Sequence, residues 1–411
     1  GRCRHAAPAV SRARVGSLLL AAASLTVTLG AAELGFRLAG YTALHERYSS
    51  PELFWRHDAI LGWSLEPNAR GRFVGPRPFP VEFDTAIETN SLGQRGPELT
   101  ASIPGERRVL FLGDSFVAGF EVEQEETFTA LLEQRLSRRL GEPFRVINAA
   151  VRGYGTDQSY LWFRERGRAL GAELVVAVFS ANDFEDNVTL HRPRRPFGKP
   201  VFALLPTGAL ELRGSPVPRY APCSSWVLGA DYAPRRADGG LSRAACLLQM
   251  RLADHSALFS WVATSLARLP GVVHFLNRIV QPERSPALPE TAKRRRHLAG
   301  LGAPTAEERA RIESELSTAL LQALAREVRA AGAQFLLLMV PRHWPRIDLR
   351  ALRADQIPIE SVTIPAAVDP RSIRFENDGH LNAHGHRLYV DGLVPIVEAA
   401  LRETGPVGAG D

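Results

Sequence analysis

The sequence predicts an α/β protein built on a parallel sheet with helices on both faces. Three observations predict it. Short apolar runs recur at "RVLFLG" (108–113), "FRVINAA" (144–150), "ELVVAVFS" (173–180) and "AQFLLLMVP" (333–341). Amphipathic stretches such as "EETFTALLEQRLSRRL" (125–140) separate them, the order expected of βαβ units. The runs are continuously apolar instead of alternating, as strands covered on both faces should be. With 411 residues, 45% of them hydrophobic, the chain can bury a large core and is not a disordered protein.

Taken in order, residues 1–14 carry Arg2, Arg4, Arg12 and Arg14, and "VGSLLLAAASLTVTLGAA" (15–32) then runs for 18 residues without a charge. That length just spans a bilayer. Arginines in front and Glu33 behind place the N-terminus in the cytoplasm and the rest of the chain outside it. A single-pass anchor over 15–38 is the reading adopted, because the run exceeds a usual signal-peptide core. A cleavable signal, with "LGAA" suiting a peptidase, and a buried helix of a soluble domain are the alternatives. The chain opens on Gly1 and not Met, so further residues are expected before it.

Residues 39–100, rich in Pro, Gly and polar groups, read as a linker and lead-in packed on the main domain, with an extended piece at "FPVEFDTAIETNSLGQRG" (79–96). The main domain is expected over 101–190 and again over 305–405, with 406–411 as a tail. Its helices are expected from Glu125, from about Thr156 to Leu170, and from Thr305, where Thr305 and Glu308 form a capping box, to Gly332. Between the two parts, 191–304 reads as an insertion between the third and fourth strands. It holds a hairpin at "KPVFALLPTGALELRG" (199–214) turning at Pro206-Thr207-Gly208, helix over Leu241–Leu269, and a Pro-rich basic loop over Gln281–Ala303.

The net charge of +6 is almost wholly arginine, since lysine occurs only at Lys199 and Lys293. No nucleic-acid partner follows from it. The runs Arg192–Pro196 and Lys293–Arg296 read as solvated loops, with anionic lipid or an acidic polymer as the alternative. Cys223 and Cys246 form a candidate disulfide in an oxidising compartment, while Cys3 would lie on the cytoplasmic side; two buried thiols fit equally well.

In an open α/β sheet, ligands bind beyond the carboxyl ends of the strands, so the residues after each strand are read together. They are Gly113-Asp114-Ser115, "NAAVRGYGTDQ" with Gly153, "SAND" with Asn182, and "ENDGHLNAHGH" with Asp378 and His380. Serine is too weak an acid to ionise unaided, so it needs an imidazole to take its proton, and His380 is the candidate. Asp378 would hold the imidazole's tautomer, with Asp369 the next carboxylate in line. The Ser115 N–H, the Gly153 N–H and the Asn182 amide could receive the charge that develops on a carbonyl oxygen. Each residue also has a plainer reading: Ser115 as a helix cap, Gly153 and Gly155 as turn glycines, Asn182-Asp183 as a strand-end turn. Asp378, His380, His384 and His386 crowd into nine residues, but no metal is assigned, because the segment reads as a helix start with His384 on the surface. No cofactor is implied.

These four blocks, in this order, resemble the SGNH (GDSL-type) hydrolase family over roughly 60–190 and 305–402. The resemblance implies a flavodoxin-like SGNH fold. It implies Ser115 as nucleophile, Asp378 and His380 as the rest of a triad, and Ser115, Gly153 and Asn182 as the oxyanion hole. Two departures stand out: Ser180 takes the place of the third block's usual glycine, and Asp378-Gly379-His380 is one residue shorter than Asp-x-x-His. The shorter spacing is similar to membrane-associated, alginate-acetylation-type SGNH proteins. A serine esterase acting on O-acyl esters of cell-surface glycans is therefore expected, anchored in a bacterial inner membrane and facing the periplasm or exterior. An O-acetyltransferase with the same triad and a non-catalytic glycan-binding or assembly protein are the competing readings. Expected partners are the acyl ester or glycan, the membrane and polysaccharide-assembly proteins.

Overall fold

The computed structural model describes residues 12–39, 54–75, 81–99, 103–190, 198–217, 226–236, 304–340 and 346–402, with 248, 252, 255–259 and 261–262 between them. Cys223, Cys246, both basic runs, the Pro-rich loop and most of 241–269 lie outside the described residues.

The first helix, α1 (Arg12–Leu38), contains a 20-residue span, Leu19–Leu38, long and apolar enough to cross a membrane. The most apolar part of that span is not buried among the described residues. The helix runs on past Glu33, whose carboxylate accepts from Ser256 Oγ and the N–H groups of Ala257 and Leu258 at 2.8–3.0 Å. Phe36 packs on Trp261, with ring centroids 5.0 Å apart.

The segment read as a linker is more ordered than that. It folds into two antiparallel hairpins, β1 (Trp55–Asp58) with β2 (Gly62–Leu65), and β3 (Arg70–Gly75) with β4 (Phe83–Glu88). Alternate β4 side chains face inward, and Phe54, Leu61, Trp63 and Ile87 are fully buried. Polar turn residues dominate this segment's composition, and they hid its paired strands.

The central sheet contains β5 (Arg107–Leu112), β6 (Phe144–Asn148), β7 (Leu174–Phe179), β12 (Gln334–Met339) and β13 (Ile359–Glu360). All neighbours are parallel, and the order is β13-β12-β7-β5-β6. Numbered among themselves, the strands run 2-1-3-4-5, the flavodoxin-like order, whose switch point falls between the first and third strands. Every residue of β7 is buried, as its unbroken apolar run requires. Helix α3 (Phe128–Leu140) packs with the C-terminal α8 (Ala383–Arg402), and α4 (Thr156–Glu165), α5 (Asp183–Val188) and the short α7 (Leu349–Ala354) pack with α6 (Ala306–Ala330).

Two helix boundaries differ from expectation. Helix α3 starts at Phe128 instead of Glu125 because the Thr127 hydroxyl accepts from the Ala130 N–H at 3.2 Å, leaving Gln124–Glu126 as a 3-10 turn. The helix begun at Thr156 stops at Glu165, and a separate 3-10 turn follows at Gly167–Leu170. The Thr305–Glu308 capping box is present at the start of α6.

Between α5 and α6, the described part of the insertion holds the expected hairpin, β8 (Val201–Leu204) with β9 (Leu210–Arg213), and a second, β10 (Trp226–Leu228) with β11 (Pro234–Arg236). Lys199 enters the core just before β8 and pairs with Asp157 of α4, both side chains almost completely buried. Burial alone would push the Asp157 carboxyl upward, and the lysine opposes that shift.

Candidate active site

Strand β5 ends at Leu112, and after Gly113-Asp114 the chain makes a single helical turn, α2 (Ser115–Ala118). Asp114 caps that turn by accepting from the Phe116 N–H at 2.9 Å. Capping therefore falls to Asp114, which leaves the Ser115 side chain free for other contacts. Standing first in the turn, the Ser115 N–H has no intrahelical carbonyl to meet.

So short a helix cannot satisfy the carbonyls that follow it, and neighbours do so instead. Asn148 donates to Val117 O at 2.9 Å, and Thr85 donates to Phe120 O at 2.5 Å. Arg95 donates to Ala118 O at 3.2 Å, to Val122 O at 2.7 Å, and to Gly119 O. Arg95 is 2% exposed, and burial pulls its guanidinium down to about 10. Its role was not legible in the sequence, where it sits in a polar turn 20 residues before Ser115.

The other rim loops are tied to the same turn. Beyond the β5–β6 ladder, Ala149 and Val151 donate to Phe111 O and Gly113 O at 3.0 and 3.2 Å, which ties the start of the loop that holds Gly153 to the strand end before Ser115. Gly153 has φ +84, so a side chain there would be strained. Gly155 needs its small size for a different reason: its backbone is extended, but a Cβ would lie 2.7 Å from Asn187 Oδ1. After β7, Ser180 donates to Asp114 Oδ1 at 3.4 Å, and its N–H donates to Asp183 at 2.7 Å. Burial, then the nearby Asp114 charge, pushes the Asp183 carboxyl well above the usual carboxylate range. Asn182 is half-buried and spends one amide hydrogen on Asp186 at 2.9 Å, which leaves the other for a ligand.

Across this rim, the turn before α8 delivers His380. Its Nε2 lies 2.8 Å from Ser115 Oγ, and its Nδ1 is hydrogen-bonded to Asp378 Oδ1. Gly379, at φ +84, makes the tight turn that lets two residues so close in sequence pair through their side chains. The turn is braced by Glu82, which accepts from the N–H groups of Glu376 and Asn377 at 3.1 Å, and by Arg374, which donates to Gly379 O at 2.6 Å. Asp369 is exposed and caps its own turn through the Arg371 N–H. His384 is exposed, whereas His386 is 2% exposed and accepts from the Phe128 N–H at 3.1 Å.

One neighbour of the imidazole was not anticipated from the sequence. Glu121 Oε1 lies 3.4 Å from His380 Nδ1, its side chain is 1% exposed, and the same oxygen meets Arg152. Burial alone would push the His380 imidazole down. Glu121, and after it the Asp378 hydrogen bond, outweigh that, so the net direction is upward. Asp378 moves the other way: burial would raise it, but the imidazole's hydrogen bond holds it below the usual range. Glu121, Asp378 and His380 are also the one group among the described residues close enough to share a metal ion. Both ring nitrogens of His380 are already engaged, so the ring has no lone pair to spare for a metal in this arrangement.

A serine hydroxyl bonded to an imidazole, at the switch point of a five-stranded parallel sheet, defines a serine hydrolase of the acyl-transfer class. The chain belongs to the GDSL-like lipase/acylhydrolase family, whose profile matches residues 111–388. Among solved structures it is similar to TesA, with 14% identity over 72% of this chain and 99% of that one, at a TM-score of 0.34. The psychrotrophic esterase EstA from Pseudoalteromonas sp. shares 13% over 72% of this chain and 99% of that one, also at 0.34. A two-domain esterase, CEX, active on acetylated mannans, shares 11% over 75% of this chain and 53% of that one, at 0.31. No curated protein matches the chain significantly.

Proposed function

We propose that this protein is an anchored serine esterase that removes O-acyl groups from cell-surface glycans through an acyl-enzyme on Ser115. The observation that carries the reading is the 2.8 Å contact from Ser115 Oγ to His380 Nε2, with Nδ1 held by Asp378. As Oγ attacks the ester carbonyl, its proton passes to Nε2 and the carbonyl electrons move onto oxygen. The Ser115 N–H, the Gly153 N–H and the free amide hydrogen of Asn182 receive that oxyanion. His380 returns the proton to the leaving alcohol as the ester bond breaks. Water then repeats the sequence, releasing the acid and restoring Ser115.

The span Leu19–Leu38 supports an anchor and, with arginines before it, a domain outside the cytoplasm. The insertion, 191–304, is where an acceptor groove for a glycan would be built, since added loops carry specificity. Its test begins with a fluorophosphonate, which should label the full chain in detergent on Ser115 and leave Ser115→Ala unlabelled. An absence of labelling at any pH would favour a binding role. An acetyl donor supplied with and without an O-acetylatable polysaccharide then separates the outcomes. Free acetate alone is the expected result, and acetyl groups appearing on the sugar would make the protein a transferase.

A further inference from the structure

The buried surroundings of His380 contain more charge than a triad requires. Asp378 already takes the single Nδ1–H, yet Glu121 is brought to the same nitrogen. We propose that Glu121 is a positioning residue for His380: a second buried carboxylate, held in place by Arg152, that keeps the Nδ1 side of the ring negative while Nε2 takes the serine proton. This rests on the reading of His380 as the base.

Three features set Glu121 apart from an ordinary ion-pair partner of Arg152. A purely structural arginine–carboxylate pair tends to be two-pronged, with both oxygens engaged. Here a single oxygen serves both Arg152 and the imidazole edge, and Oε2 is buried with no partner among the described residues. Burying a carboxylate with one oxygen unsatisfied is unfavourable, so the placement needs a compensating interaction. Second, Glu121 follows Ser115 by six positions on the loop whose carbonyls Arg95 and Thr85 hold, so nucleophile and second carboxylate share one rigid support. Third, Arg152 adjoins Gly153, and its guanidinium lies 4.7 Å over the Phe73 ring and 5.8 Å from that of Phe120. It therefore links the base to the oxyanion loop.

The charged groups that act most strongly on the ring are Glu121, Asp378 and Arg152; buried Arg95 acts on Glu121 and on His386, and His386 stays neutral because burial pulls it down to about 3. With neutral imidazole, Glu121, Asp378 and Arg152 together carry one net negative charge, and these four groups become neutral as a set once the ring is protonated. Charge created in the transition state thus meets a site already arranged for it.

The test is the pH dependence of kcat/KM with p-nitrophenyl acetate for the wild-type full chain, Glu121→Gln, Glu121→Asp, Arg152→Gln and His380→Ala. Glu121→Gln should move the acid limb down by about one pH unit and lower kcat about tenfold, with KM little changed. Arg152→Gln should move the limb upward, because it removes the positive charge beside the ring. Glu121→Asp should recover part of the wild-type profile. A limb position does not depend on how much of a variant is folded, so partial misfolding cannot imitate the shift. An unmoved limb in Glu121→Gln, with His380→Ala inactive, would overturn this inference alone. An active His380→Ala would remove the base and with it the reading on which the inference rests.

Discussion

Ser115 and His380 meet across 2.8 Å, but the turns that carry them are held by different means. From Val117 to Val122 the nucleophile turn is buried, and its carbonyls are satisfied by Asn148, Arg95 and Thr85 from inside the fold. The base turn, 374–380, is half-exposed, and surface hydrogen bonds to Glu82 and from Arg374 shape it. The nucleophile is thus positioned by the core and the base by the rim. Changes near the first should cost stability and activity together, and changes near the second should cost activity alone.

The largest expected effect tests the base side. Asp378→Asn should lower kcat by about 10⁴-fold with the melting temperature nearly unchanged, since a neutral amide no longer selects the tautomer. His384→Ala, one turn away and exposed, should retain most activity in the same assay. A comparable loss in both would mean that the base turn works as a unit and that His380 has no special place in it.

Arg95→Met tests the nucleophile side. It takes a donor from three carbonyls, of which only Gly119 O keeps another, the Val122 N–H at 3.3 Å, and the expected cost is about 3 kcal/mol in chemical denaturation, with activity falling in parallel. A variant that stays fully stable but inactive would show that the core support is catalytic tuning and not structure. Glu82→Ala should do the reverse, lowering kcat about tenfold while stability changes by about 1 kcal/mol at most.

An effect on stability alone concerns His386, on the core side of the same helix start. Its folded pKa, about 3, lies below the ordinary histidine value of 6.5, so the unfolded chain binds the extra proton first as pH falls. Stability from this group is complete above pH 6.5 and is lost progressively below it. Between pH 6.5 and 5 the loss should approach about 2 kcal/mol by denaturant titration, and His386→Gln should flatten that slope. An unchanged slope would assign the acid sensitivity to other groups.

Much of this molecule was legible beforehand for local reasons. The short apolar runs, the Thr305–Glu308 box and the order of the GDSF, RGYG, SAND and DGHLN blocks are written in adjacent residues. So is the Asp378–His380 pair, because the glycine between them can take the positive φ that so tight a turn needs. The hairpins at 55–88 were hidden because their burial depends on a few aromatic side chains finding a surface made by later parts of the chain.

The sequence by itself determined the parallel sheet, the chain order of its elements and the chemical types gathered at its rim, since periodicity and strand-end position are properties of short stretches. Only the tertiary structure decided which charges surround the imidazole and what supports the serine. Glu121, Arg152 and Arg95 lie in three separate segments, and their spacing along the chain carries no information about a charge interaction that depends on distance and burial in space.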